Sequence, residues 1–169
     1  MAKKVIVSRH GQTYSNKDGL MTGQTDPHLT SQGVVDAYQL GVKVKSLHGE
    51  VDLIVTSNMT RTNHTAMVAN LHLQAKTMTC DNGLKDKTHG LLDGTEIEYA
   101  LPIIEALQDD EVHPEHGGES NIAFKDRVTN SICKYLYSAE EIIILVAHSY
   151  VGNVAAEIFS PFQIANATL

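Results

Sequence analysis

Cysteine is scarce: the 169-residue chain carries two, Cys80 and Cys133, far apart in sequence. That usage fits two separate thiols in a reducing compartment and argues against a disulfide-stapled scaffold. Long apolar runs are also missing. The stretch after Met1-Ala2-Lys3-Lys4 is too short for a signal-peptide core, and no segment approaches membrane-spanning length, so a cytoplasmic location is expected. No run of lysine or arginine occurs, and the net charge is −7 with histidines neutral. Nucleic acid and anionic membranes both need a positive field, so neither is an expected partner. A small anionic substrate stays open, because a few arginines in a pocket reverse the local field. No cluster of side chains shows metal-ligand spacing, so no metal and no cofactor are expected. Repeats, low-complexity stretches and linkers are absent, which points to one domain over residues 1–169.

What is present is an alternation of short β-branched runs with longer helical patterns. Val5-Ile6-Val7, residues 51–56 and residues 73–80 read as strands, the last the weakest. The strongest runs from Glu141 to Ala147, and its unbroken apolar character suits a strand covered on both faces. Val34, Ala37, Tyr38, Gly41, Val44 and Leu47 recur near helical spacing after Thr30 or Ser31, either of which can cap that helix. Arg61 to Leu71 reads as helix, as does Glu96 to Leu107, with Pro102 starting or kinking it. Ser120 is a candidate cap for a helix to Tyr137 with Ile122, Val128, Ile132 and Leu136 as core positions, and Val151 to Phe159 closes the series. Strands alternating with helices predict a single-domain α/β fold, a three-layer α/β/α sandwich with a mostly parallel central sheet. The Gly, Pro and His cluster at 113–118 reads as a loop.

Chemistry collects at strand ends in such a sheet. Arg9-His10-Gly11 follows the first strand, and Ala147-His148-Ser149 ends the strongest one. Between them lie Asn16, Thr22-Gly23-Gln24, Thr56-Ser57 with Arg61, Leu84-Lys85-Asp86 and Gly117-Gly118-Glu119-Ser120. Arginine offers a planar fork for phosphate oxygens, and glycine after the histidine permits close backbone approach or an unusual dihedral. In this order and spacing, from residue 5 to about 168, the sequence resembles the histidine phosphatase superfamily, the phosphoglycerate mutase-like proteins.

The resemblance implies that His10 is a nucleophile forming a phosphohistidine, with Arg9, Arg61 and His148 around the phosphoryl oxygens. Asn16 would add a neutral donor, Thr22, Gly23 and Ser149 would line the substrate site, and His148 would contribute most as an imidazolium. The family places glutamate at the third position of the Leu-x-Glu element. Here Asp86 stands there, so it is either the acid or an exposed aspartate in a charged turn. Gln12 and Ser149-Tyr150 are further departures, and Tyr150 would narrow the pocket or alter backbone donation to phosphate. Residues 164–169 resemble the entry to a further strand, so a terminal strand is expected to be short or absent. Glu119 and Ser120 suit a helix start or a substrate contact. Of the remaining histidines, His64, His72, His89, His113 and His116, only His116 is placed within reach of the substrate.

Residues 94–119 hold eight acidic residues and no lysine or arginine. A mutase must grip a second anionic group, so this favours metal-independent hydrolysis of small phosphomonoesters. A phosphoglycerate mutase and a phosphoester-binding module without turnover remain as alternatives. No oligomeric state follows from the sequence.

Overall fold

The computed structural model describes residues 3–158. Four strands, β1 (Lys4–Arg9), β2 (Leu53–Thr56), β3 (Thr77–Cys80) and β4 (Ile142–Ala147), form one sheet in the order β1-β4-β2-β3. Every pairing is parallel, with Val7 opposite Leu145 and Val55 opposite Leu145 on the other side. β4 therefore lies between β1 and β2, and all six of its residues are buried. Side chains alternate across the sheet with period two. Val5, Val7, Val55, Ile143 and Leu145 meet α5 (Asn121–Leu136) and α6 (Ser149–Ile158). Ile6, Ile54, Ile144 and Val146 meet α2 (Ser31–His48) and α3 (Thr60–Leu73) on the opposite face. Each fully buried Ile or Leu adds about 1.5–3 kcal/mol over leaving it exposed, so these two layers carry the fold.

Several boundaries differ from expectation. β3 is confined to 77–80, because Leu73 still belongs to α3 and is buried on the sheet, and Gln74 turns the chain at φ 50°. The inward stripe of α2 is Ala37, Leu40, Gly41 and Val44, whereas Tyr38 and Leu47 point outward. On α5, Phe124, Val128, Ile132 and Tyr135 enter the core, and Ile122 lies half exposed. α4 (Ile97–Glu105) continues through Pro102 and, with Met21 and Leu92, builds a small separate apolar cluster. Thr30, not Ser31, caps α2, its hydroxyl accepting the Gly33 N–H at 3.0 Å. Phe159 and residues 164–169, where a terminal strand is expected to be short or absent, lie outside the described residues. Among those described, no helix is long and apolar enough to cross a membrane.

Gly11 is required by the packing of the fold. A Cβ there would lie 2.2 Å from the Gly33 carbonyl oxygen, and one on Gly33 would lie 2.1 Å from that of Gln12. The two glycines let the turn after β1 touch the first turn of α2 backbone to backbone. Gly11 makes this close approach to a helix, and its φ is not positive.

Candidate active site

The register that pairs Arg9 with Ala147 sets the residues beyond them side by side. The rings of His10 and His148 meet edge to face with centroids 5.3 Å apart. β2 ends next to β4, so Ser57 arrives beneath His148, and α3 begins soon after, delivering Arg61.

Arg61 is fully buried. Its Nη1 donates to the Thr25 carbonyl at 2.7 Å and its Nη2 to that of Gly23 at 2.8 Å. Nη2 is also 3.4 Å from Asp86 Oδ2, while Nε donates to His10 Nε2 at 3.2 Å. A buried charge survives only when so satisfied. Gly23 is needed to offer its carbonyl this way: φ is +46°, and a Cβ would lie 1.8 Å from the Asp93 carboxylate. Asp93 in turn accepts from the Gln24 and His89 backbone N–H groups at 3.0 and 2.9 Å, tying the 22–25 and 88–90 loops together.

His10 Nδ1 lies 2.7 Å from its neighbour's carbonyl, Gly11 O. A carbonyl only accepts, so Nδ1 carries the hydrogen and Nε2 the lone pair. Burial, reinforced by Arg61, lowers the His10 pKa to about 3, and the ring is neutral at ordinary pH. Asp86 shows the opposite displacement, since burial raises its pKa to about 6 despite the opposing pull of Arg61. It is not an exposed turn residue. Gln24 donates to the Asp86 carbonyl at 3.1 Å, and Arg127 to those of Gly83 and Lys85 at 2.9 and 3.0 Å. Arg127 is itself held by both oxygens of Glu119. Glu119 thus serves the framework and Ser120 caps α5, accepting from Ala123 at 3.2 Å.

His148 departs from the expectation of an imidazolium. It is 1% exposed, and burial followed by Arg61 pushes its pKa well below the usual histidine range. Its Nε2 is 2.7 Å from Ser57 Oγ, and its Nδ1 is 3.5 Å from Asp86 Oδ2.

Above these groups lies a cavity of about 200 Å³. Arg9, His10, Asn16, Thr22, Gly23 and Ser149 line one part of it. Arg61 and His148 sit beneath rather than in its wall. Asn16 closes a capping box with Thr13 at the short α1 (Tyr14–Lys17) and donates to Thr22 Oγ1 at 3.4 Å. The other part is walled by Leu20, Met21, Ile97, Leu101 and Tyr150, together with Lys87 and His89. Tyr150 does narrow the cavity. His89, read in the sequence as outside the site, lines the cavity, and Lys87 escaped the sequence analysis, although their places one and three residues after Asp86 were the available signal. His116 lies elsewhere, its ring 4.3 Å from that of His113. Gln12 bonds to the Thr30 hydroxyl at 2.8 Å. A larger groove of about 500 Å³ shares Arg9, His10 and Asn16 but has Asp36, Gln32 and Gln39 where the first has Asp86. His10 and Asp86 come together only in the smaller cavity. No group of three or more His, Cys, Asp or Glu is placed to hold a metal ion among the described residues.

The comparisons with known proteins agree with this geometry. A protein of Schizosaccharomyces pombe described as a probable phosphatase is 28% identical over 155 residues, which cover 89% of this chain and 70% of that protein. A 2,3-bisphosphoglycerate-dependent phosphoglycerate mutase of a Bradyrhizobium strain is 43% identical over 61 residues. That stretch spans 36% of this chain and only 30% of the mutase. The structure of phosphoglycerate mutase from Bacillus anthracis superposes with a TM-score of 0.79, covering 96% of this chain and 84% of that one. At 18% identity that likeness is one of fold. The sequence profile of the histidine phosphatase superfamily, branch 1, matches residues 5–167, and the chain belongs to that superfamily.

Proposed function

We propose that the chain is a phosphatase that hydrolyses small phosphomonoesters through a phosphohistidine on His10, without a metal ion. The observation that carries this reading is the pairing, through one buried arginine, of a neutral imidazole whose unprotonated Nε2 accepts the Arg61 Nε–H at 3.2 Å and a carboxyl group whose pKa is raised to about 6. His10 Nε2 attacks phosphorus as the bond to the leaving oxygen breaks, and Asp86 gives that oxygen its proton. Water then attacks the phosphohistidine, Asp86 takes a proton from it, and inorganic phosphate leaves with the His10 lone pair restored. Arg9 and Arg61 balance the charge on the phosphoryl oxygens, with Asn16, Thr22 and Ser149 at its edges.

Hydrolysis is favoured over transfer between hydroxyls by the leaving-group wall. Four of its side chains are aliphatic or thioether, and its one lysine, Lys87, is already bonded to Asn121 Oδ1. Lys87 is also the observation that keeps a mutase as the second reading, since it is a cation the 94–119 count did not include. Phosphate release from nitrophenyl phosphate, alkyl phosphates, sugar phosphates and 3-phosphoglycerate, with chelator present, tests the proposal. Chelator-resistant release is the expected result. Isomerisation of phosphoglycerate outpacing release would select the mutase, and tight phosphate binding without turnover would select the binding module. The two free cysteines suit the reducing compartment in which we place this activity.

The pKa values set a pH profile. Asp86 acts as acid only while protonated, so kcat/KM for alkyl phosphates should fall as pH rises through about 6. His10 stays neutral down to about 3, so protonation of the nucleophile should bring no loss between those values. The ratio of alkyl to nitrophenyl turnover measured across pH cancels the titration that both phosphoesters share.

A further inference from the structure

The smaller cavity has two unlike parts, and the one away from Arg9 is walled largely by carbon. Ile97 and Leu101, four residues apart on α4, are neighbours on the helix surface and join Leu20, Met21 and Tyr150 in that wall. The adjoining arc of α4, Ala100, Ile103 and Ile104, packs with Met21 and Leu92, so the wall is backed by a core of its own. Ile97 and Leu101 are nevertheless 38% and 36% exposed, which leaves apolar surface in contact with water beside the reacting groups. The backbone of the wall is already committed. Leu20 donates to the Ser15 carbonyl at 2.9 Å, Met21 to Thr95 at 2.7 Å and Ile97 to Gly19 at 2.9 Å, while the Met21 carbonyl accepts from Gly94 at 2.6 Å. A ligand hydroxyl would find none of these four groups free.

Among the described lining residues, no cation is left for a second anionic group. Lys87 is bonded to Asn121 Oδ1, and the carboxylates of Glu119 and Asp109 act on its charge. Arg9 is engaged, in the scheme above, by the phosphoryl oxygens. His89 lines the cavity with its Nε2 buried, and burial lowers its pKa, so the ring is uncharged at neutral pH. Burial raises the Tyr150 pKa, with Asp86 and Glu105 adding to the effect, so the phenol is neutral and the charges acting on it are acidic. A carboxylate or second phosphate placed here would meet charge of its own sign.

We propose that this part of the cavity selects the monophosphate of a compact, uncharged, largely hydrocarbon alcohol, with Ile97, Leu101 and Tyr150 as specificity-determining residues. The inference rests on the phosphatase reading above and names its substrate class. At about 200 Å³ the cavity falls below the about 300–1,000 Å³ that drug-sized ligands occupy, which sets the alcohol's size. A polyhydroxylated alcohol of the same size would bury hydroxyls against Ile97 and Leu101 with nothing to pair them, and that cost is what discriminates.

The test compares 2-methylbutyl phosphate with glycerol 1-phosphate, which share one skeleton and differ by two methyl groups in place of two hydroxyls. The expected kcat/KM is higher for the alkyl ester by about 10²-fold, the discrimination an apolar pocket makes against a hydroxylated isostere, with 3-phosphoglycerate slower than either. Leu101→Lys should shrink that preference by about tenfold and raise kcat/KM for 3-phosphoglycerate. A second measurement needs neither turnover nor a variant: by calorimetry, 3-methylpentylphosphonate should bind the wild type at least about tenfold more tightly than methylphosphonate. Phosphate release without the alkyl preference, and with the two phosphonates bound equally, would overturn the apolar subsite and leave the phosphatase reading in place. No release from any ester, with 3-methylpentylphosphonate still the tighter ligand, would overturn the phosphatase reading and leave the subsite standing. Failure of both measurements would overturn both.

Discussion

His10→Ala is expected to lower phosphate release from every phosphomonoester by about 10⁴-fold or more, as removal of a covalent nucleophile does. The ring keeps an unprotonated Nε2, and its orientation is imposed from behind by its Nδ1–H on the Gly11 carbonyl at 2.7 Å. Alanine removes the atom to which phosphorus would bond, and Asp86, held as the acid, cannot replace it. The fold should survive. Arg61 loses its 3.2 Å bond to His10 but keeps the Gly23 and Thr25 carbonyls and Asp86. Initial rates, thermal melting and acid-labile labelling of the protein by ³²P-substrate provide the check. A variant with near wild-type rates would remove the phosphohistidine from the mechanism.

Asp86→Asn should divide substrates by leaving group. Alkyl phosphates are expected to lose about 10²–10⁴-fold, the range for removal of a general acid. Nitrophenyl phosphate should lose far less, because its phenolate departs without a proton. Asparagine is isosteric, and the backbone around residue 86 is held from outside by Gln24 and Arg127, so the substitution tests chemistry rather than loop geometry. Arg61 keeps its two carbonyl partners and loses only the contact at 3.4 Å. Equal losses on both substrate types would reject Asp86 as the acid.

Much of the site was legible along the chain because its members stand at strand ends and carry rare combinations. Arg9-His10-Gly11 after β1, Arg61 after β2 and His148 after β4 could be placed together once a parallel sheet was inferred. Asp86 was the harder case. Between two lysines it looked like a solvated turn, and only the covering loops and the Arg127 framework make it buried. Lys87 and His89 shared that camouflage. Arg127, a single helical arginine, carries no local sign that it ties three segments together. The lowered pKa of His148 was hidden for a related reason: a protonation state depends on the whole set of neighbours, and there burial first, then Arg61, disfavours the imidazolium.

The helical faces divide in the same way. The 142–147 run could be assigned to a central strand because six consecutive apolar residues need cover on both sides. Tyr38, Leu47 and Ile122, equally apolar, lie at the margins of their helices, and hydropathy does not tell which margin meets the sheet. The sequence by itself therefore determined the alternating α/β plan and the parallel sheet, which follow from periodicity, and it singled out the candidate histidines and arginines through their resemblance to a family pattern. Tertiary structure alone decided which carboxyl has its pKa raised to about 6, which imidazoles stay neutral and what lines the cavity beside them, because these depend on desolvation and on the charges that folding brings within a few ångströms.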